Sequence, residues 1–201
     1  PPYTYSWSIG CSSSTCTSLC TGSYDVTISD QSSCQIINNV SVSTGPPISA
    51  GFTYNGNQCL TDNNYCFTNT GTSGVNYAWD FGDGLGTSSL ENPCYTYTTS
   101  GNFTVTQTVT QGPCTETTSI NIVVYDEPII NVFSSDITCN GICDGSIDIG
   151  INAGQSPYTF AWNSGQSTED ISGLCQGSYT VTVSDNNGCF STNTSTISEP
   201  S

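Results

Sequence analysis

The chain has 201 residues, 12 of them Cys, and no Lys, Arg or His, so its 16 acidic residues have no basic side chain to face and the formal charge is −16. These absences exclude Ser-His-Asp and Cys-His nucleophile systems, Schiff-base chemistry and imidazole metal ligation, along with any Lys or Arg clamp on a phosphate or a nucleic-acid backbone. A hydrophobic fraction of 34% that includes 10% aromatics is too aromatic for a disordered tail.

In chain order, the first stretch, 1–45, contains PYTYSW at Pro2–Trp7 and the alternation Tyr24-Val26-Ile28. The second, 46–127, is bounded by Pro46-Pro47 and by Pro128 and alternates at Phe103-Val105 and Ile120-Ile122-Val124. The third, 128–201, alternates at Ile147-Ile149-Ile151 and Tyr179-Val181-Val183. Period two with Val, Ile, Thr and Tyr enrichment and Asn-Gly and Asp-Gly turns marks strands throughout, and no window offers an amphipathic helical stripe. The expected fold class is all-β: tandem small sandwiches. Units this small bury little surface, and twelve Cys without any His or CxxC pair read as disulfide staples rather than zinc ligands. That places the chain outside the cytoplasm. No apolar run reaches the roughly 20 residues of a membrane helix and no signal segment opens the chain, so it reads as an internal or processed piece of a secreted protein.

The third stretch repeats the first. PYTFAW at Pro157–Trp162 matches PYTYSW at an offset of 155, and without a gap GSYDVTISD from Gly22 falls on GSYTVTVSD from Gly177, Leu19-Cys20 on Leu174-Cys175, and Cys34 on Cys189. The third stretch has a further leading segment for which the first has no room, so the chain is expected to begin in mid-domain.

The middle stretch carries YAWDFGDG at Tyr77–Gly84, then ENPCYTYTTSGNFTVTQTV from Glu91. It closely resembles a PKD domain, an immunoglobulin-like sandwich of secreted and cell-surface proteins. Trp79 and Phe81 alternate with Asp80, so both aromatics can enter the core while Asp83 receives backbone N–H groups in the turn. The flanks resemble the SprB-type repeat of the giant gliding adhesin of Bacteroidota, through Thr138-Cys139-Asn140-Gly141, Asp144-Gly145-Ser146-Ile147, Pro157–Trp162, Leu174–Asp185 and Asn187-Gly188-Cys189. Cys20 and Cys175 stand where that family commonly has an apolar or Pro residue, and Cys143 is an addition. The resemblance implies a long cell-surface protein, exported by a type IX system and built as an array of modules: 1–45 the later part of one SprB-like repeat, 46–127 a PKD domain, 128–201 a complete repeat.

The resemblance also implies a basic bridge between Cys139 and Cys189, leaving Cys143 with Cys175 as a nested second one. Cys175 and Cys189 themselves are held roughly 30 Å apart by the strand between them, beyond the reach of a cystine. By the same logic Cys59 pairs with Cys114 and Cys66 with Cys94, Cys11 and Cys16 close a local hairpin, and Cys20 and Cys34 look for partners ahead of Pro1. Trp7, Trp79 and Trp162, one per unit at alternating strand positions, are expected in the cores with Phe81, rather than as a sugar-stacking platform.

No catalytic residue is expected. Asp80-Phe81-Gly82 matches a kinase metal-binding triplet, but a kinase needs Lys and HRD. Asp126-Glu127 and Glu169-Asp170 are sequence neighbours that point to opposite faces of a strand. No cofactor is expected; apart from thiolate the sequence offers only hard oxygen donors, which suit calcium, with candidate oxygens Asp80 and Asp83, or Asp126 and Glu127 at a domain junction, and without EF-hand spacing. Asn39, Asn102 and Asn193 open N-x-S/T triplets, which Asn- and Thr-rich chains generate by chance.

The leading functional expectation is a non-enzymatic structural and adhesive segment, a stalk or filament at a bacterial cell surface. Its partners would be neighbouring repeats of the same chain, surface glycans or other copies in a fibre, with no nucleic acid and no membrane insertion. The alternative is a carbohydrate-binding accessory region of a secreted polysaccharide hydrolase, where PKD domains also occur. The charge makes one prediction by itself: at about 0.15 M salt without divalent ions the chain is not retained on DNA, RNA or anionic liposomes. Retention on any of them in a co-sedimentation assay would contradict this reading.

Overall fold

A computed structural model describes residues 2–17, 19–43 and 48–200; the Pro46-Pro47 punctuation lies outside them. The described residues form strands and no helix. The first stretch holds β1 (Thr4–Trp7), β2 (Gly22–Ser29) and β3 (Gln35–Val42). The middle holds β4 (Phe52–Tyr54), β5 (Gln58–Cys59), β6 (Tyr65–Asn69), β7 (Asn76–Asp80), β8 (Thr87–Ser88), β9 (Cys94–Tyr95), β10 (Gly101–Gln111) and β11 (Cys114–Tyr125). The third holds β12 (Ile129–Ser135), β13 (Gly145–Asn152), β14 (Thr159–Trp162), β15 (Ile171–Leu174), β16 (Gly177–Ser184) and β17 (Phe190–Ile197). They gather into two compact units, one of Pro1–Tyr54, Cys66–Pro93 and Thr104–Ile120, the other of Asn55–Tyr65, Cys94–Phe103 and Asn121–Ser201.

In the first unit β1-β2-β3 is an antiparallel meander, with Trp7 opposite Val26 and Ile28 opposite Ile36. β4 pairs with β6, and β7 with β8 and β10, and β10 lies beside the first part of β11. Alternation sends Phe52, Phe67, Trp79, Val105 and Val109 inward. The Phe52 and Trp79 rings meet edge to face at 4.9 Å and Phe67 stacks on Phe81 at 5.5 Å. Aromatic contacts of this geometry stabilise beyond the area they bury. Gln107 is fully buried among them, and both ends of its amide are satisfied: Oε1 accepts the Gly51 N–H and Nε2 donates to Asn69 Oδ1, each at 2.8 Å. A buried amide left unpaired would cost about 1–3 kcal/mol. The outer sides of β10 and β11 are joined by hydroxyl pairs, Thr106 to Ser119 and Thr108 to Thr117.

In the second unit β5 runs parallel to the end of β11, Gln58 opposite Val124 and Cys59 opposite Tyr125. The buried Tyr65 locks this pairing, accepting the Gln58 N–H at 2.7 Å and donating to the Val123 carbonyl at 2.6 Å. The third stretch is a two-layer sandwich, β12-β13-β15 against β14-β16-β17. Nine buried side chains form its core: Ile137, Ile147, Ile149, Trp162, Ile171, Leu174, Val181, Val183 and Ile197. Polar ties join the layers: Asn193 Nδ2 donates to the Ile130 carbonyl at 3.3 Å, and the Ser198 N–H to Asp136 Oδ1 at 2.7 Å. The T-C-N-G loop is closed by Asp144, which accepts the Thr138 N–H at 2.9 Å on one oxygen and the Thr138 hydroxyl at 2.6 Å on the other.

Two local features yield predictions. Gly82 has φ +82°, and a Cβ there would lie 2.5 Å from the Thr104 carbonyl oxygen, whereas Gly84, at φ +76°, faces open space. Gly84→Ala should therefore cost about 1 kcal/mol through backbone strain alone, and Gly82→Ala at least about 2 kcal/mol more through the added clash, measured by thermal denaturation. Equal losses would show that the close approach is not rigid. The Thr138 hydrogen bonds hold the Asp144 carboxyl below its ordinary value of 3.8. A lowered folded value means that the loop's closure is fully supported above pH 3.8 and lost as pH falls through the lower folded value. The Thr138 amide resonance should titrate with a midpoint below 3.8 and cease to titrate in Asp144→Asn.

Candidate functional site

The chemistry-bearing residues fall at turns. In the WDFGDG segment, Asp80 Oδ1 accepts the Gly82 N–H at 2.8 Å, and Asp83 Oδ1 accepts those of Leu85 and Gly86, both at 2.9 Å. Trp79, 2% exposed, donates its indole N–H to the Leu90 carbonyl at 2.8 Å. The Asp80-Phe81-Gly82 string is thus a strand end, a core side chain and a left-handed turn. Burial pushes the nearby Tyr77 phenol above its ordinary 10.0, and Glu91 adds to the shift. Asp126 accepts the Ser100 hydroxyl, and Glu127 Oε1 accepts the Thr61 N–H at 2.6 Å. Among the described residues no group of three or more His, Cys, Asp or Glu is placed to hold a metal ion, and none of Asp80, Asp83, Asp126 and Glu127 belongs to one.

The second unit contains a cleft of about 410 Å³ lined by residues 100–102, 123–126, 153–155 and Asn187. One wall is the β13–β14 turn, where Gly154 at φ +77° sits so close that a Cβ would meet Pro128 at 3.2 Å. Two lining residues, Gln155 and Asn187, are held by Asp185, which is buried. Its Oδ1 accepts the Asn187 and Cys189 N–H groups and its Oδ2 that of Gln155, each at 2.9 Å. The cleft therefore offers backbone groups, amides and one carboxylate already engaged by Ser100. Such a surface can hydrogen-bond a ligand, and its one hydroxyl–carboxylate pair is Ser100 with Asp126.

The cysteines depart from the expected scheme. Cys11 is bonded to Cys16 and Cys143 to Cys175, and Cys66 and Cys94 are both disulfide-bonded. Cys59, however, is bonded to Cys189 and not to Cys114, while Cys114 is bonded to Cys20. The β5–β11 register explains the first correction. Cys59 lies opposite Tyr125 at the end of β11. Cys114 opens that strand, about 36 Å away at 3.3 Å per residue, and a cystine needs Cα atoms within about 7 Å. The end of β11 shares the cleft with Asn187, which brings Cys59 to Cys189 with Cα atoms 5.5 Å apart. Cys139, expected to bond Cys189, is instead exposed with a free thiol on the turn closed by Ile142 N–H to the Cys139 carbonyl. Cys20, expected to lack a partner here, meets Cys114 at a Cα distance of 5.6 Å. Cys34 is exposed and free.

The repeat is carried into three dimensions. Strands β14, β16 and β17 reproduce β1, β2 and β3 at the offset of 155, boundary for boundary and register for register. Trp7 donates to the Ser13 carbonyl as Trp162 does to Thr168, Tyr24 to the Cys20 carbonyl as Tyr179 to Cys175, and Asp30 caps the Ser32 and Cys34 N–H groups as Asp185 caps those of Asn187 and Cys189. Burial is not reproduced. Trp162 is 6% exposed and in a core, whereas Trp7, expected in a core, is only half-buried. The first sheet has no counterpart of β12 and β13 laid over it among the described residues of its unit.

The comparisons with known proteins agree with this architecture. No curated protein matches the chain. A C-terminal 282-residue fragment of intimin, solved in complex with the intimin-binding domain of its translocated receptor, is similar at a TM-score of 0.51 and 12% identity, over 77% of this chain and 64% of that one. The N-terminal eight immunoglobulin domains of the Down syndrome cell adhesion molecule are similar at a TM-score of 0.54 and 10% identity, over 89% of this chain and 31% of theirs. At such identities the likeness is one of fold, the immunoglobulin-like sandwich. Family models match a PKD domain over residues 43–124 and a SprB repeat over residues 131–167, and with the WDFGDG turn and the T-C-N-G loop both in place the chain carries these two domains in that order.

Proposed function

We propose that this chain is a load-bearing spacer of a large bacterial surface adhesin, holding a distal binding region away from the cell rather than acting on a substrate. PKD, SprB and immunoglobulin-like folds are non-catalytic domain types, and a disulfide-rich pair of them fits an extracellular adhesive or structural region. The finer assignment to a gliding-type filament exported by a type IX route is supported by the SprB repeat alone. The observation that carries the reading is the interleaving of Cys20–Cys114 with Cys59–Cys189. Each bond ties a repeat to the PKD domain, and under tension the shortest covalent route runs along the backbone from Cys20 to Cys59 and across the second bond to Cys189. Residues 60–188 are thereby bypassed. The rival sugar-platform reading needs open aromatic faces: Trp79 and Trp162 are both buried, while Tyr3, Phe133 and Phe190 are exposed.

Pulling the chain by its ends in a force spectrometer tests the proposal. The oxidised chain should extend to less than about half the contour length of the reduced chain, whose limit is about 3.3–3.6 Å per residue. Equal contour lengths would show that the bonds do not shield the sandwiches, and binding of the oxidised chain to a glycan array would favour the accessory-domain reading.

A further inference from the structure

The loop that leads into β13 holds a free thiol close in sequence to a bonded one. Gly145 of β13 pairs with Leu174 of β15, which brings Cys143 and Cys175, just outside that pair, into their disulfide. Both of these cysteines are exposed, and among the described residues no other disulfide has both of its cysteines exposed. Cys139 precedes Cys143 in the same loop and is exposed with a free thiol. The loop is drawn shut around the two of them. Thr138 gives its N–H to one oxygen of Asp144 at 2.9 Å and its hydroxyl to the other at 2.6 Å, so the residues flanking Cys139 and Cys143 are clamped together. Inside the clamp the Ile142 N–H donates to the Cys139 carbonyl at 3.1 Å, and Gly141 at φ +80° makes the turn. A thiol tethered by so short a segment meets the neighbouring sulfur at an effective concentration on the order of mM. A ring of similar size already exists in this chain, since Cys11 and Cys16 are bonded at a sequence separation of 5.

The repeat shows a second bonding mode for the sulfur at position 175. Its equivalent is Cys20, and the backbone is held alike in both copies: Tyr24 donates to the Cys20 carbonyl at 2.8 Å and Tyr179 to the Cys175 carbonyl at 3.0 Å. Cys20, however, is bonded to Cys114 at the opening of β11. The same position therefore closes its own module in one copy and reaches out of it in the other.

We propose that Cys139, Cys143 and Cys175 form a thiol–disulfide exchange site, at which the module trades its internal staple for an exposed thiol that joins a second polypeptide. The Cys139 thiolate attacks Cys143 Sγ. A bond forms between Cys139 and Cys143 as the Cys143–Cys175 bond breaks, the electron pair leaves on Cys175 Sγ, and the proton given up by Cys139 ends on Cys175 or in water. The step is redox-neutral and consumes no oxidant. The Cys175 thiolate then attacks a disulfide of a neighbouring polypeptide, forming a mixed disulfide and expelling the other sulfur of that disulfide as a thiolate. Both Cys143 and Cys175 lie within the bypassed residues 60–188, so exchange leaves the route through Cys59–Cys189 unchanged. The inference stands apart from the load-bearing reading, and either can fail without the other.

The test is made in a Cys34→Ser background, which removes the other free thiol. The oxidised chain is held at about pH 8, where exposed thiols are partly thiolate, pulsed with iodoacetamide, quenched in acid and digested with pepsin. Mass mapping should find alkylated Cys175 in molecules that carry a Cys139–Cys143 bond, besides alkylated Cys139. Adding Cys139→Ser, which removes an exposed sulfur without a bond and should leave the circular dichroism spectrum unchanged, should lower Cys175 alkylation at least about ten-fold. With oxidised glutathione in place of iodoacetamide, Cys175 should carry glutathione in molecules that have the Cys139–Cys143 bond. Absence of alkylated Cys175, or equal alkylation with and without Cys139, would overturn the exchange site. A Cys139–Cys175 bond with label on Cys143 would overturn the assignment of Cys143 as the attacked sulfur, and glutathione on Cys139 alone would overturn the outward step.

Discussion

No carboxylate in this chain has a cationic side chain to face, so backbone amides stand in for the missing cations. Asp30, Asp80, Asp83, Asp136, Asp144, Asp170, Asp185 and Glu127 each accept at least one backbone N–H. This spends negative charge on the donors that turns leave over, and it places the acids where strands end rather than where they could converge. The same arrangement accounts for the absence of a metal cluster among the described residues: an oxygen already aimed at its own turn is not aimed at a common point. Asp185 shows the limit of the device, since burial of a carboxylate is tolerated there by three N–H groups, which supply what solvent would have supplied.

With turns closed in this way, the remaining problem is burial. A sandwich whose whole core is nine side chains lies near the lower limit of independent stability, where covalent staples make up the difference. The PKD domain meets the same need differently, with an aromatic cluster around Trp79 and a fully satisfied Gln107. Two of the bonds then connect domains to one another, so the stability of each domain becomes coupled to that of its neighbour.

The strands, the sandwich class and the WDFGDG turn are legible in the sequence because they depend on neighbours within a few positions. Alternation at Tyr179-Val181-Val183 sets which side chains enter the core, and the 155-residue offset carries the register of one sheet onto the other. The cysteine partners are less legible, because they depend on pairings remote in sequence. Nothing local in Gln58-Cys59 announces a parallel pairing with Val124-Tyr125, yet that register alone moves Cys59 away from Cys114 and toward Cys189. Trp7 fails in the opposite sense: its strand position is that of Trp162, but burial of a side chain is decided by what lies across the face, and sequence repeats of one sheet do not carry the other sheet with them. Of the cleft, only Asp126 is singled out by the sequence as a candidate ligand, because the rest is assembled from the end of β11 and from turns remote from it in sequence.

The interleaved disulfides also depart from the order of the cysteines along the chain. Were cysteines joined in their order along the sequence, Cys11 would meet Cys16, Cys20 would meet Cys34, and Cys59 would meet Cys66. Only the first of these pairs is present. Cys20 instead waits for a residue 94 positions later, and Cys59 for one 130 positions later. The partners are therefore matched by the fold, which brings residues remote in sequence together, and not by order along the chain.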